Sequence, residues 1–196
     1  LFGIAAASAE TPSLEEQAQA LSEAAVGNQL PSVQLTDPDG HSVQLASLGQ
    51  KPLLVALIYT GCTDVCPTIL ESLKPAVEIA REALGEDSFT VVTIGFDTYN
   101  DTPDRMRSFA RERGIRADNW LFLAGTAGGV RKLADATGFS IVPSAGGFDH
   151  MAQVSIFDSD GRLYQQVRGS LFSPPAIVEP LKDLMFGQRS SVLTVE

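Results

Sequence analysis

Residues 53–59 form an unbroken apolar run, the pattern of one strand buried on both faces. Apolar positions 69, 70, 73, 77, 79 and 80 then recur at helical spacing, which predicts a helix over about 66–84. Upstream, short alternating segments at 33–35 and 43–45 flank Asp37-Pro38-Asp39-Gly40, a turn sequence, and so predict a β-hairpin. Downstream, 89–96 reads as a second buried strand. Thr102-Pro103-Asp104 opens a helix to about 113, with Thr as N-cap and Pro at the first helical position. A short strand at 121–123 and a helix at 129–137, stopped by Gly138, follow. Strands at 152–157 and 163–167 are joined by Asp158-Ser159-Asp160-Gly161 as a second hairpin. A last helix runs from Pro174-Pro175 to 186. Residues 147–151 carry no strand pattern and read as a loop at a sheet end. At the front, 11–27 reads as an amphipathic helix with a Ser13–Glu16 capping box and a narrow face of Leu14, Ala18, Leu21 and Ala25. So thin a face suggests a helix that docks or links.

Parallel β-α-β crossovers followed by an antiparallel hairpin predict an α/β fold: a mixed central sheet with helices on both faces, preceded by an N-terminal β-hairpin. That arrangement is thioredoxin-like. It delivers the loop after strand 53–59 to the carboxyl edge of the sheet, where open α/β sheets bind ligands. The chain divides into 1–28, a signal or anchor remnant with a linking helix; 29–187, the thioredoxin-like domain; and 188–196, a tail.

The 196 residues suffice for one domain with a good core, and 44% hydrophobic residues mark a globular chain. A formal net charge of −10 without a basic cluster excludes nucleic acid as the expected partner. Residues 1–9 resemble the end of an apolar leader, with Ala7-Ser8-Ala9 as an A-x-A cleavage pattern or the end of a membrane anchor. Either reading places the domain outside the cytoplasm.

The chemistry concentrates just after the first buried strand. Both cysteines of the chain, Cys62 and Cys66, lie where that strand ends and its helix begins. Orphan backbone N–H groups and the positive end of a helix dipole favour thiolate there. On a regular helix, positions i and i+4 stand about 5–6 Å apart at Cβ, too far for a disulfide, which needs about 3.8 Å. A disulfide therefore requires the loop to leave the helix around 63–65, whereas a metal bridging two sulfurs tolerates the wider gap. Of the two histidines, His41 falls in the hairpin turn as a solvated residue, and His150 is the candidate third ligand. Two thiolates and one imidazole suit Cu(I), and Cu(II) if an oxygen ligand adds. An equally open reading makes His150 a loop histidine bonded to a carbonyl. Met151, its neighbour, should face the other way. Asp97 ends the second buried strand and is a candidate to orient His150, to add an oxygen ligand or to form an acidic patch. Asp101 reads as a turn or helix-start residue.

Tyr59-Thr60-x-Cys62-x-Asp64-Val65-Cys66-Pro67, Asp97-x-x-x-Asp101-Thr102-Pro103, Asp149-His150 and Asp158-x-Asp160-Gly161 stand in the order and spacing of one family. Over roughly 30–186 the chain resembles the Sco/SenC proteins, thioredoxin-fold copper chaperones for cytochrome c oxidase assembly. The resemblance implies that Cys62, Cys66 and His150 are copper ligands; Asp149, beside His150, is with Asp97 a candidate to orient it. It implies an exported or membrane-tethered domain in the bacterial periplasm, or in the mitochondrial intermembrane space. The implied partners are the copper-receiving subunit of a respiratory oxidase and a thioredoxin-like reductant. Thr63, Thr98 and Met151 depart from the family pattern without removing a ligand. Three functions follow as expectations: a metallochaperone rather than an enzyme; a thiol–disulfide oxidoreductase acting through Cys62 and Cys66; or an accessory subunit of a respiratory complex docked by helix 11–27.

Overall fold

The computed structural model describes residues 12–62, 65–115 and 119–187, with the backbone alone at 65–67. The Ala7-Ser8-Ala9 segment, Asp64 and the tail at 188–196 lie outside the described residues.

Strand β3 (Leu53–Ile58) has every side chain buried, as its unbroken apolar run requires. It pairs in parallel with β4 (Thr90–Gly95), and β4 pairs in parallel with β5 (Trp120–Gly125). On the other side of β3, β8 (Gln153–Phe157) runs antiparallel and continues into β9 (Leu163–Arg168). The N-terminal hairpin, β1 (Gln34–Thr36) and β2 (Ser42–Gln44), joins the same sheet through β5. The seven-stranded order is β2-β1-β5-β4-β3-β8-β9. This is the mixed thioredoxin-like sheet expected, with β3 near its middle and both its neighbours buried.

Helices flank the sheet. Helix α2 (Val65–Leu84) packs against α5 (Pro174–Phe186), and α3 (Pro103–Glu112) packs against β5. Helix α3 starts on Thr102, whose hydroxyl accepts the Arg105 N–H, with Pro103 at the first position. Helix α4 (Ala127–Thr137) is capped by the Thr126 side chain and ends on Gly138 at φ +62°. The indole N–H of buried Trp120 donates to Thr93 Oγ1 at 2.8 Å, so the one tryptophan brings no unsatisfied donor into the core.

Two features depart from the pattern read in the sequence. First, residues 147–150, expected in a loop, form strand β7 (Gly147–His150), which pairs with β6 (Ile141–Ser144) in a second, two-stranded sheet inserted between α4 and β8. Second, the helix near the front, α1 (Leu14–Ala24), keeps its Ser13–Glu16 capping box but buries Ala18, Ser22 and Ala25. Leu14 and Leu21 are 64% and 54% exposed. The buried stripe is made of small residues because the helix comes very close to Gly138: a Cβ there would lie 2.1 Å from Leu21 O. Glu23 pairs with Arg168 at 3.0 Å, and the Asn28 side chain donates to Ala136 O. The Ala18, Ser22 and Ala25 side of α1 is thus seated on its own domain. Among the described residues no helix is long and apolar enough to cross a membrane.

The Gly138 contact makes a test of α1 docking. Any side chain at φ > 0 costs roughly 1–2 kcal/mol, and overpacking adds about 1–3 kcal/mol more. Gly138→Ala should therefore lower unfolding stability well beyond Gly40→Ala, where φ is +84° and nothing lies within 4 Å of the added carbon. Urea denaturation of both variants reads the difference; equal losses would mean that α1 is not clamped there.

Candidate metal centre

The cysteine segment begins where β3 runs out, and a buried carboxylate fixes that point. Asp101, 1% exposed, accepts both the Thr60 N–H (2.8 Å) and the Thr60 hydroxyl (2.7 Å) on Oδ1. Its Oδ2 accepts the Asp97 N–H at 2.9 Å. One side chain therefore ties the end of β3 to the end of β4. Gly95 permits the close approach, since a Cβ there would lie 2.4 Å from Asp101 Cβ. Burial pushes the Asp101 carboxyl above its ordinary pKa and the nearby Asp97 charge adds to this, while the hydrogen bonds from Thr60 and Asp97 oppose it. Arg105 completes the knot, its Nε donating to Thr60 Oγ1 at 3.3 Å.

Beyond Thr60, Cys62 is half-buried against the core, and its N–H donates to Tyr59 O at 3.2 Å. Helix α2 starts at Val65, so Cys66 sits in its first turn and Cys62 stands outside it. The two cysteines are therefore not an i, i+4 pair on one helix, and the helical separation that would oppose a disulfide does not apply to them.

His150 reaches this edge of the sheet on β7, the last residue of the inserted hairpin. Alternation along β7 puts Phe148 and His150 on one face. That face packs onto the top of β3. The His150 ring lies 5.8 Å from Tyr59, 5.3 Å from Phe96 and 5.5 Å from Phe139, centroid to centroid. Phe148 fills the same cluster, 5.3 Å from Tyr59 and 5.4 Å from Phe96. At the hairpin tip, Gly147 holds φ +132°, and a Cβ there would lie 2.9 Å from the Tyr59 hydroxyl oxygen. The imidazole is thus wedged among rings beside the residue three positions before Cys62. Burial pushes its pKa below the ordinary histidine value, against smaller opposing pulls from the Met151 backbone and the Asp149 charge. Burial thus favours the neutral ring, the form that can ligate a metal.

The Asp97 side chain accepts the Asn100 amide at 2.6 Å. Asp149 is exposed on the face of β7 opposite His150. Neither makes a hydrogen bond to His150 among the described residues. Met151 is half-buried just beyond β7. His41, 76% exposed, has Nδ1 3.1 Å from Asp37 Oδ2 in the β1–β2 turn. Asp37, Asp39 and His41 could together approach an ion, but hydrogen bonds from the Asp39 and His41 backbones to Asp37 already account for their grouping. Sequence reasoning missed Asp101 as the clamp, Arg105 as its neighbour, and the ring cluster. The spacing Asp97-x-x-x-Asp101 was the one available signal for the first.

A thioredoxin-like sheet, a cysteine pair at the mouth of its central parallel strand and a histidine folded back to the same edge define the class of domain. The SCO1/SenC family profile matches residues 23–185, and the chain belongs to that family. It is 25% identical over 136 residues to the SCO1 protein homolog of Bacillus subtilis (strain 168), covering 67% of this chain and 69% of that protein. Among solved structures it is similar to Bradyrhizobium japonicum ScoI with copper bound: TM-score 0.65, 26% identity, 81% of this chain and 99% of that one. It shares its fold with BsSco, a member of the Sco family of cytochrome c oxidase assembly proteins in which a disulfide switch was identified. There the TM-score is 0.71 and the identity 20%, over 81% of this chain and 94% of BsSco.

The burial of His150 has a pH signature. Its folded pKa lies below the unfolded value of 6.5. The unfolded chain therefore binds the proton first as pH falls, and the His150 contribution to stability is full above 6.5 and lost through the folded pKa. Reduced, metal-free wild type should lose stability between pH 7.5 and pH 5, and His150→Gln should show a shallower slope over about that range in urea denaturation. Parallel slopes would place the ring in solvent.

Proposed function

We propose that this protein is a copper metallochaperone that binds copper through Cys62, Cys66 and His150 and passes it to a subunit of cytochrome c oxidase. The observation that carries the proposal is the seating of the His150 ring against Tyr59, at the strand end that leads into Cys62. Two thiolates with one neutral imidazole make a soft, three-donor set that matches Cu(I) and leaves an exchange route open to an incoming ligand. The set can also hold Cu(II) with an added oxygen ligand. Family membership and the copper-bound relative support the same cargo. The Asp101 clamp serves this function by holding the strand end rigid while the cysteine loop beyond it exchanges metal. Transfer is stoichiometric: each copper leaves as the recipient's thiolates replace those of the donor.

A second reading is favoured by the start of α2 at Val65, which frees Cys62 from helical spacing. In it the pair reduces the recipient's cysteines, one thiolate attacking the target disulfide and the other resolving the mixed disulfide, with a thioredoxin-like protein restoring the dithiol. The domain would work outside the cytoplasm, in a bacterial periplasm, with residues 1–9 as an export leader or anchor; recovery of the native protein in the cytosolic fraction would refute this placement.

His150→Ala separates the two chemistries. Loss of a partner that merely orients a ligand costs metal affinity about 10–100-fold, so loss of a ligand should cost Cu(I) affinity roughly 100-fold or more. Dithiol exchange with a model disulfide should stay near the wild-type rate. Competition titration with a Cu(I) chelator reads the first and stopped-flow kinetics the second. Unchanged copper affinity would remove His150 from the site.

A further inference from the structure

On the far side of the inserted hairpin from the ring cluster lies a cavity of about 400 Å³. Leu14, Glu15 and Ala18 of α1 form one wall. Val142 and Asp149 of the hairpin, with His150, Met151 and Ala152, form the other; Gly169 and Ser170 close the end. The surface is mostly apolar, and its volume falls in the range of pockets that bury a side chain or a small ligand. The mouth adds exposed apolar area, because Leu14 is 64% exposed and Leu171, next to Ser170, is 77% exposed. Both ionisable side chains lining it other than His150, Glu15 and Asp149, are acidic and exposed. Arg168, one residue before Gly169, is engaged by Glu23 at 3.0 Å. An apolar hollow with a negative rim selects an apolar group flanked by positive charge.

We infer that this cavity is a docking pocket for a protein partner, which inserts one large apolar side chain flanked by Lys or Arg beside His150. The wall supplied by α1 comes from residues 14–18, which lie ahead of the matched residues 23–185. A partner seated there reaches the surface next to His150 without displacing the Tyr59, Phe96 and Phe139 rings that hold it. The reading of that partner as the copper-exchange protein rests on the proposed function; the binding itself needs no metal.

The test uses the reduced, metal-free full chain, labelled with ¹⁵N, and the peptide acetyl-Lys-Phe-Lys-amide. Acetyl-Lys-Ala-Lys-amide and acetyl-Glu-Phe-Glu-amide are the controls. The first peptide should produce saturable shifts at the amides of Ala18, Val142 and Ala152 at concentrations up to about 10 mM, and both controls should bind more weakly. Glu15→Gln, at an exposed position, should weaken the first peptide about two- to five-fold, the range of one surface charge pair. Equal shifts from all three peptides, shifts that map elsewhere, or an unaltered response in Glu15→Gln would overturn the proposal. So would binding that appears only after deletion of residues 1–9, which would give the pocket to the chain's own N-terminal segment. A Cu(I) titration of the same samples keeps the two readings apart. Copper bound without peptide binding sinks the pocket alone, and peptide bound without copper binding sinks the metal reading alone.

Discussion

The packing of the β6–β7 hairpin onto Tyr59 is the contact on which the rest of the site depends. His150 and the cysteines are remote in sequence, and only this insertion brings the imidazole to the cysteine edge of the sheet. The hairpin is a two-stranded ribbon, marginal by itself in water. Tyr59, Phe96 and Phe139 give Phe148 and His150 of the hairpin a hydrophobic seat, and such ring pairs each contribute about 0.5–1.5 kcal/mol beyond area burial. Gly147 lets the hairpin tip close on the Tyr59 hydroxyl, where any side chain would intervene. A histidine held this way is oriented by packing, with its carboxylate neighbour Asp149 turned to the opposite face.

The second constraint works from below. Burying the Asp101 carboxylate is costly, and three donors from Thr60 and Asp97 offset the cost. The clamp joins the ends of β3 and β4, whose six-residue parallel register carries the centre of the core. Rigid strand ends next to a loop are a common way to place reactive groups. Here the fixed parts are Thr60 below the cysteines and Tyr59 beside the histidine.

Much of this was legible in the sequence, for local reasons. The buried strands β3 and β4 announce themselves as apolar runs, α3 by its Thr-Pro start, and the two turns Asp37–Gly40 and Asp158–Gly161 by their composition. The resemblance to Sco/SenC proteins rested on motifs whose spacing survives in the fold, and the family match bears it out. What the sequence concealed is tertiary. Residues 141–150 contain Pro143, Ser144, Gly146 and Gly147, a poor strand composition, and pair as a hairpin packed on the ring cluster. Of the face read for α1, Ala18 and Ala25 are buried with Ser22, while Leu14 and Leu21, the two most hydrophobic members, are exposed. Close approach to Gly138 selects for size instead. Asp101 looked like an ordinary helix-start residue, since nothing near it in sequence shows that Thr60 will arrive with two donors.

X-ray absorption spectroscopy of the reduced protein loaded with one equivalent of Cu(I) tests the central claim most directly. Two sulfur ligands and one imidazole nitrogen around copper, with the nitrogen's outer-ring scattering lost in His150→Ala, is the result the account predicts. Two sulfurs alone in the wild type, or a nitrogen signal that survives the substitution, would contradict it.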